Sequence, residues 1–240
     1  MRPRRRHPRA RALLLLALCA PLLLQGYFAL RIAAWRLLPV ASGAFLRNGQ
    51  LQLLRARDAS AWHHEWTPAS AISPWLERAV IASEDATFDS NDGVDWSALR
   101  DAWRRNHEKR NERLHRIVGG STITQQLAKN LFLSPQRSYW RKAQELAITF
   151  MLEAILGKKR ILEIYLNSVE WGYGIYGAQA AAQHYYRRPA STLSRWQAAR
   201  LAVMLPAPRF FERHFDGPYL SARSGVIAAR ALDVALPPLR

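Results

Sequence analysis

No charged residue stands between Ala12 and Leu30, and Arg2, Arg4, Arg5, Arg6, Arg9 and Arg11 precede that run. At a rise of ~1.5 Å per residue, a helix over it is about as long as the hydrocarbon core of a bilayer is thick. Arg31 and Arg36 close the run, and Tyr27 and Trp35 sit near its far end, where amphipathic rings favour the interface. Basic residues on the N-terminal side place that end in the cytoplasm and the remaining chain outside. A cleaved signal peptide has the same basic-then-apolar order. Its apolar region is shorter, however, and a small-x-small site followed by polar sequence is absent here. Leu18 directly before Cys19 argues against a lipoprotein cleavage site. The expectation is a basic tail over 1–11 and a single retained span over 12–35.

The net charge of +17 is only partly explained by this tail, since residues 1–40 contain no Asp or Glu. A remainder that is still basic suits a polyanion, an anionic membrane or a phosphate-bearing substrate. Nucleic acid is disfavoured, because there is no zinc spacing, basic zipper or RNP-like strand. With one cysteine, Cys19, a disulfide framework and a cysteine-based metal site are both excluded.

Beyond the span, residues 36–72 carry little periodic signal and read as linker and lead-in, with 50–57 a short strand or a turn of helix. A domain over 73–240 follows. Ser73 and Pro74 start a helix, the Ser as a cap and the Pro at a position whose N–H has no partner to lose. Leu76, Val80 and Glu84 share a stripe of that helix, with Ile81 beside it. A carboxylate in line with core-facing residues is pushed toward neutrality by burial, which suits a general base near pH 7. The plainer alternative is a helix-end Glu turned back to solvent.

Asp95 caps a helix whose Trp96, Leu99 and Trp103 share a face. The polar segment over 106–116 reads as a solvated helix end or loop. Gly119, Gly120 and a Ser121 cap then open another helix, whose free N–H groups suit phosphate oxygens. On it Ile123, Leu127 and Leu131 form the buried stripe, and Thr122, Gln125, Gln126 and Lys129 a donor-rich polar one. A long helix over 137–156 carries Arg137, Arg141, Glu145 and Thr149 at four-residue spacing. Tyr139, Trp140, Leu146, Ile148, Phe150 and Leu152 around it suggest a helix deep in the domain. Further helices are expected over 159–167, to 186, from Ser194 with Gln197 as a capping box, and over 221–234. Strand-like alternation is scarce, so the fold class is mainly α.

Four stretches in order resemble the peptidoglycan glycosyltransferases, the lysozyme-like polymerases of lipid II, and above all their monofunctional single-span members. They are Glu84-Asp85-x-x-Phe88 with Gly93; Gly119-Gly120-Ser121-Thr122-Ile123-Thr124-Gln125-Gln126-Leu127-x-Lys129-Asn130; Arg141-Lys142-x-x-Glu145; and Ile161-Leu162-Glu163-x-Tyr165-Leu166-Asn167. The second block is highly specific. In the first, Asn91 stands where the family commonly has His, and Asn cannot carry a proton charge. There is no Ser-x-x-Lys or Lys-Thr-Gly, so no transpeptidase site is expected.

The resemblance implies a lysozyme-like helical glycosyltransferase domain behind a transmembrane helix, in a bacterial inner membrane, with the domain periplasmic. It implies lipid II and a growing lipid-linked glycan chain as substrates, and cell-wall synthesis proteins as partners. Glu84 would be the general base and Glu145 the second acidic residue, which either holds Lys129 and Arg137 or binds a divalent cation (Mg2+ or Mn2+) beside the donor diphosphate. No organic cofactor is implied. Lys129, Arg137, Arg141 and Lys142 would answer the diphosphate charge, and Ser121, Thr122, Gln125, Gln126 and Asn130 would supply neutral donors. Asp85 and Phe88 belong to the substrate site through the first motif. A glycan-cleaving enzyme is the main rival, but it has no use for a basic helix face.

Overall fold

The computed structural model describes residues 8–40, 42–108, 120–134, 136 and 138–238, and among these the fold is mainly helical. Helix α1 spans Pro8–Ala34 and α2 Ala44–Arg55; α3 spans Pro74–Glu84 and α4 Trp96–Glu108. The middle of the domain is α5 (Ile123–Phe132), α6 (Tyr139–Leu156) and α7 (Lys158–Ser168). After it come α8 (Ala178–Tyr186), α9 (Arg195–Met204), α10 (Pro208–Arg213) and α11 (Pro218–Arg230). Three short strands, β1 (His63–His64), β2 (Glu170–Gly172) and β3 (Ile175–Tyr176), form a sheet in the order β1-β3-β2. β1 runs parallel to β3 with His63 opposite Ile175, and β2 runs antiparallel to β3 with an irregularity between Glu170 and Gly172.

Local chemistry accounts for the helix starts. Ser73 Oγ accepts from Trp75 N and donates to Leu193 O at 2.8 Å, so the cap of α3 also ties it to the segment leading into α9. From there α3 packs on α9, which packs on α11, burying Leu76, Val80, Ile81, Leu201 and Ile227. The buried stripe of α5 (Ile123, Leu127, Leu131) packs against α6 and α7. Ser194 and Gln197 make the expected capping box at α9. A backbone position of another kind is Gly174, with φ +75° and room for no Cβ, since one there would meet Ala61 O at 2.2 Å.

Several expectations are corrected. Of the strand and the turn of helix read for 50–57, the helix holds over 50–55, as the end of a longer α2 that buries Leu46 and Leu53 and packs on α5. Within 50–57, Leu51 and Leu53 alternate with Gln50 and Gln52 as a strand would, and burial of Leu46 and Leu53, seven residues apart on one helix face, decides for the helix. The cap of α5 is Thr122, not Ser121. Tyr139 and Trp140 are 97% and 88% exposed, and Phe150 is exposed too, so α6 buries one face only, through Ile148 and Leu152. The shared face of α4 is also exposed at Trp96, Leu99 and Trp103. The sheet and α10 carry no sequence signal strong enough to be read, because strands of two or three residues have no period. The last helix starts three residues early, at Pro218, and ends at Arg230. Residues 109–119, with most of the polar segment and Gly119, lie outside the described residues, as does Arg137.

The C-terminal part of α1 belongs to the domain core. Phe28, Ile32 and Trp35 are buried, with the Phe28 and Trp35 rings 5.0 and 5.2 Å from that of Phe132. The side chains of Gln25 and Gln144 exchange hydrogen bonds of 2.9 and 3.0 Å, fixing α1 to α6. Among the described residues, no helix is long and apolar enough to cross a membrane.

Glu77, on α3, is a buried carboxyl whose pKa is pushed up to about 7. Burial is the largest cause; Lys159 opposes it and Glu163 reinforces it. A pKa raised in the folded state favours folding while the proton is on. That contribution is complete below the ordinary carboxyl range and is lost as pH rises toward 7. Glu77→Gln, neutral throughout, should therefore gain stability over the parent chain by about 2–3 kcal/mol between pH 5 and pH 8. Thermal or denaturant unfolding at the two pH values reads this directly, and an unchanged difference between the two chains would remove the assignment.

Candidate active site

The site begins where α3 ends. Glu84 is the last residue of the helix and is half-buried. Asp85 leaves the helix at φ −158° and ψ 79° and turns its carboxylate inward, toward α5. There Asp85 Oδ2 accepts from Ile123 N at 3.0 Å, and Oδ1 accepts from Asn91 Nδ2 at 3.0 Å and Thr87 Oγ1 at 3.3 Å. A carboxylate on the first amides of a helix satisfies donors with no partner inside the helix and complements its positive end. Asn91 thus serves as a bridge: its Oδ1 accepts from Gly93 N at 2.9 Å and Lys158 Nζ at 3.1 Å.

With α5 fixed in this way, Gln126 meets Glu84. Its Nε2 donates to Glu84 Oε2 at 2.9 Å, while its Oε1 accepts from the buried Tyr165 hydroxyl at 2.9 Å. Tyr165, from α7, therefore sets which end of the amide faces the carboxylate. The pKa of Glu84 is raised, chiefly by burial and further by Asp85, with the Gln126 hydrogen bond and Lys129 pulling the other way.

Gln126 also lines a cleft of about 360 Å³ between α5, the start of α6 and the start of α2. Ser121, Gln125, Lys129, Asn130, Arg141, Lys142 and Glu145 line it as well, with Phe45, Leu133 and Ser134 at its edge. Glu84 is not in the lining; it stands behind Gln126, within electrostatic reach of Lys129. Gln125 has its Oε1 engaged by Thr122 N at 3.1 Å, in the capping box. Burial lowers the pKa of Lys129, the attraction of Glu145 opposes this, and Arg141 and Lys142 add to the lowering.

Glu145 is 3% exposed and engaged at both oxygens: Oε2 accepts from Arg141 Nη1 at 3.0 Å, and Oε1 from Lys142 Nζ. Of the two roles implied for it, holding cations is the one this geometry matches, with Arg141 and Lys142 as partners. The buried Nε of Arg141 has no hydrogen-bond partner among the described residues and remains available for a ligand oxygen. A divalent cation fits the cleft poorly. Glu145 is the one carboxylate among the described lining residues, its oxygens are engaged, and three cationic side chains surround it. Among the described residues no cluster of three or more His, Cys, Asp or Glu could hold a metal.

The structure thus brings Ser121, Gln125, Gln126, Lys129, Asn130, Arg141, Lys142 and Glu145 to one cleft, with Glu84 adjoining it. Three expected site residues face inward instead. Asp85 is buried on α5. Phe88 is fully buried under the Lys158 ammonium, 4.7 Å from its ring. Thr122 donates to Gly93 O at 2.6 Å and caps α5. Tyr165 and Asn91 are the positioning residues sequence reasoning missed. Tyr165 reads as one more apolar anchor of α7, and nothing local reveals that its hydroxyl reaches α5.

A family model described as "Transglycosylase" matches residues 50–231. The chain is 56% identical over 214 residues to the "Biosynthetic peptidoglycan transglycosylase" of Burkholderia pseudomallei (strain K96243), covering 89% of this chain and 82% of that one. To the protein of that name from Burkholderia thailandensis it is 55% identical, with the same coverage. For Burkholderia vietnamiensis (strain G4) the identity is 53% over 213 residues, covering 89% of this chain and 85% of that one.

Removing the Tyr165 hydroxyl should test the orienting bond. Tyr165→Phe leaves Gln126 Oε1 without its donor and is expected to cost about 1–2 kcal/mol of stability. Pairing it with Gln126→Leu in a double-mutant cycle should return a coupling of about 1 kcal/mol. Strict additivity would mean that the bond contributes nothing.

Proposed function

This chain belongs to the transglycosylase family, and from that membership we propose that it polymerises lipid II into β-1,4-linked glycan strands for cell-wall peptidoglycan. The observation that carries the reading is the single Gln126 amide joining a half-buried Glu84 to a cleft lined by Lys129, Arg141 and Lys142. Chemistry that removes a proton at one point and releases an anionic group at another needs these two environments side by side.

In this reading Glu84 takes the proton from the 4-hydroxyl of the acceptor sugar. The oxygen attacks C1 of the donor, the C1–O bond to the α-linked lipid diphosphate breaks, and configuration inverts. The leaving diphosphate takes up negative charge that Lys129, Arg141 and Lys142 stabilise. Ser121, Gln125 and the Arg141 Nε add directed donors. Glu145 acts through the cations it holds: without it, three like charges would repel one another and swing outward. No bound metal enters any step. Arg137, four residues before Arg141 in sequence, is proposed as a further cation for the diphosphate.

Both substrates are lipids, and membrane attachment follows from that. We read α1 as a single span with its N-terminus cytoplasmic and the domain on the periplasmic face of the bacterial inner membrane. The uncharged run Ala12–Leu30 supports this, as do the exposed Leu22, Leu23 and Leu30 on the described part of the helix. Tyr139 and Trp140, exposed at the start of α6 beside the cleft, suit the interface where lipid-linked substrates enter. Tethering enzyme and substrates in one plane raises their effective concentration.

The test is purified full-length protein with labelled lipid II, resolving products by length. Longer chains are expected, and shorter products from preformed glycan would favour the cleaving rival. Glu84→Gln should lower the polymerisation rate by about 10²–10⁴ with the fold intact. Because the raised Glu84 must be ionised to act, the rate should fall with falling pH through a limb above the ordinary carboxyl range. Gln126→Leu removes a bond that holds that pKa down, so the limb should move to higher pH. A limb unmoved by Gln126→Leu, together with activity in Glu84→Gln within about tenfold of the parent, would assign the base elsewhere.

A further inference from the structure

Lys158, the first residue of α7, reaches back into the turn that follows α3. Its ammonium donates to Asn91 Oδ1 at 3.1 Å and to Glu153 Oε1 at 2.7 Å, and lies 4.7 Å from the centre of the Phe88 ring. Glu153, on α6, also accepts from Thr124 Oγ1 of α5 at 2.6 Å. One side chain thus joins α5, α6 and α7 to the turn over 85–93. The Lys158 and Glu153 side chains are 17% and 14% exposed, so theirs is no solvated surface pair.

The Asn91 amide carries this contact further. An ammonium and a backbone N–H can only donate, so Lys158 and Gly93 N both require the amide oxygen on their side. The Nδ2 end is thereby left for Asp85 Oδ1 at 3.0 Å and Thr87 Oγ1 at 3.3 Å. Asp85 Oδ2 in turn accepts from Ile123 N at the start of α5. The relay runs from Lys158 through Asn91 and Asp85 to α5, and each bond polarises the next. Around it the charge is mostly acidic. Glu84 precedes Asp85, Asp95 stands across Thr87 and Glu153 comes from α6, while Asp89 and Asp92 lie exposed in the same turn. Tyr165 adds a buried phenol from α7. Among the described residues, Lys158 is the one cation that hydrogen-bonds into this turn; Lys129 acts on Glu84 from the cleft side. Burial raises the pKa of Asp85, and the bonds from Ile123 and Asn91 and the charge of Lys158 pull it back.

We propose that Lys158 is a positioning residue for Glu84: by fixing the Asn91 amide and answering the Asp85 charge, it keeps Asp85 seated on α5 and Glu84 at Gln126. The inference rests on the reading of Glu84 as the base. Glu84 and Asp85 are adjacent, so a carboxylate that slips from Ile123 N carries Glu84 away from Gln126 Nε2, now 2.9 Å distant. Asn91 cannot do this alone, because an amide bears no charge to set against a buried carboxylate. A plainer role for Lys158 is an ion pair that only fastens α7 to α6. That role has no consequence for the protonation of Asp85, and the two part on this point.

Lys158→Met removes the charge and keeps the bulk, and Glu153→Gln is combined with it so that no buried carboxylate loses its cation. This double variant is compared with Glu153→Gln alone. In full-length protein labelled with carbon-13 at the aspartate carboxyls, in detergent and without substrate, the Asp85 titration should move to higher pH. Asn91→Ala cuts the relay but leaves the ion pair whole, and should move it the same way even if the double variant fails to fold. Lipid II polymerisation should fall about tenfold in kcat in the double variant, the scale of one lost charge-assisted hydrogen bond, with KM little changed. Adding Asn91→His should then return a charge only where the imidazole is protonated. The rate relative to the double variant should rise as pH falls through about 6.5. With Lys158 in place, Asn91→His alone should show no such rise. An Asp85 titration unmoved in both variants overturns the proposal, as does a double-variant rate within about twofold of Glu153→Gln. A rescue by Asn91→His that is equal at about pH 5.5 and about pH 8 overturns it too. Absence of product from the parent chain sinks the polymerase reading instead, and the titration, taken without substrate, still decides the relay.

Discussion

One carboxylate holds the working parts of this molecule in register. Asp85 is buried, and burying a charged group without partners is costly; here it receives an α5 amide, the Asn91 amide and the Thr87 hydroxyl. Burial still leaves its pKa raised, with the hydrogen bond from Ile123 as the largest opposing influence. Because Asp85 follows Glu84 directly, anchoring it on the start of α5 fixes where Glu84 meets α5. Gln126 then lies one helical turn into α5, at hydrogen-bond distance from Glu84. The Thr122–Gln125 capping box secures the same helix end from inside. Each of these bonds is local or single, yet together they define the distance between carboxylate and cleft.

Electrostatics divides the region into two environments. On the Glu84 side, desolvation dominates and favours the protonated carboxyl. On the cleft side, Lys129, Arg141 and Lys142 crowd around Glu145, which offsets their mutual repulsion and keeps them converging. A buried carboxylate saturated by two cations adds little net stability, since desolvation offsets much of the attraction. Its value here is positional. The family to which the chain belongs, and the proposed release of a diphosphate, give that arrangement a use that a glycan-cleaving site would lack.

The domain is also built around its N-terminal helix. Arg160 spends its guanidinium on two backbone carbonyls just beyond α1 and on Glu163, and Phe132 takes Phe28 and Trp35 against its ring. In sequence α1 reads as an appendage in front of a separate domain. In three dimensions its last turns complete the core around α5 and α6, so the orientation of the cleft relative to α1 is set by packing.

From the residues alone, the helices of the domain centre, the caps at Ser73 and Ser194, the core stripes of α3 and α5 and the donor-rich face of α5 could be read. All of these follow from spacing and capping within a few neighbouring positions, where helix geometry dictates which side chains share a face. Glu84, Lys129 and Arg141 were legible for the same reason, whereas Lys142 entered only through the resemblance of Arg141-Lys142-x-x-Glu145 to the family's third motif. What tertiary structure alone decided is which way the chain turns after Glu84, and so why Asp85 and Phe88 go to the interior while Glu84 remains beside the cleft. The partner of Asp85 is 38 positions away and that of the Tyr165 hydroxyl 39. Bonds of that reach leave no periodic trace in the sequence, and they exist only once α3, α5 and α7 have packed.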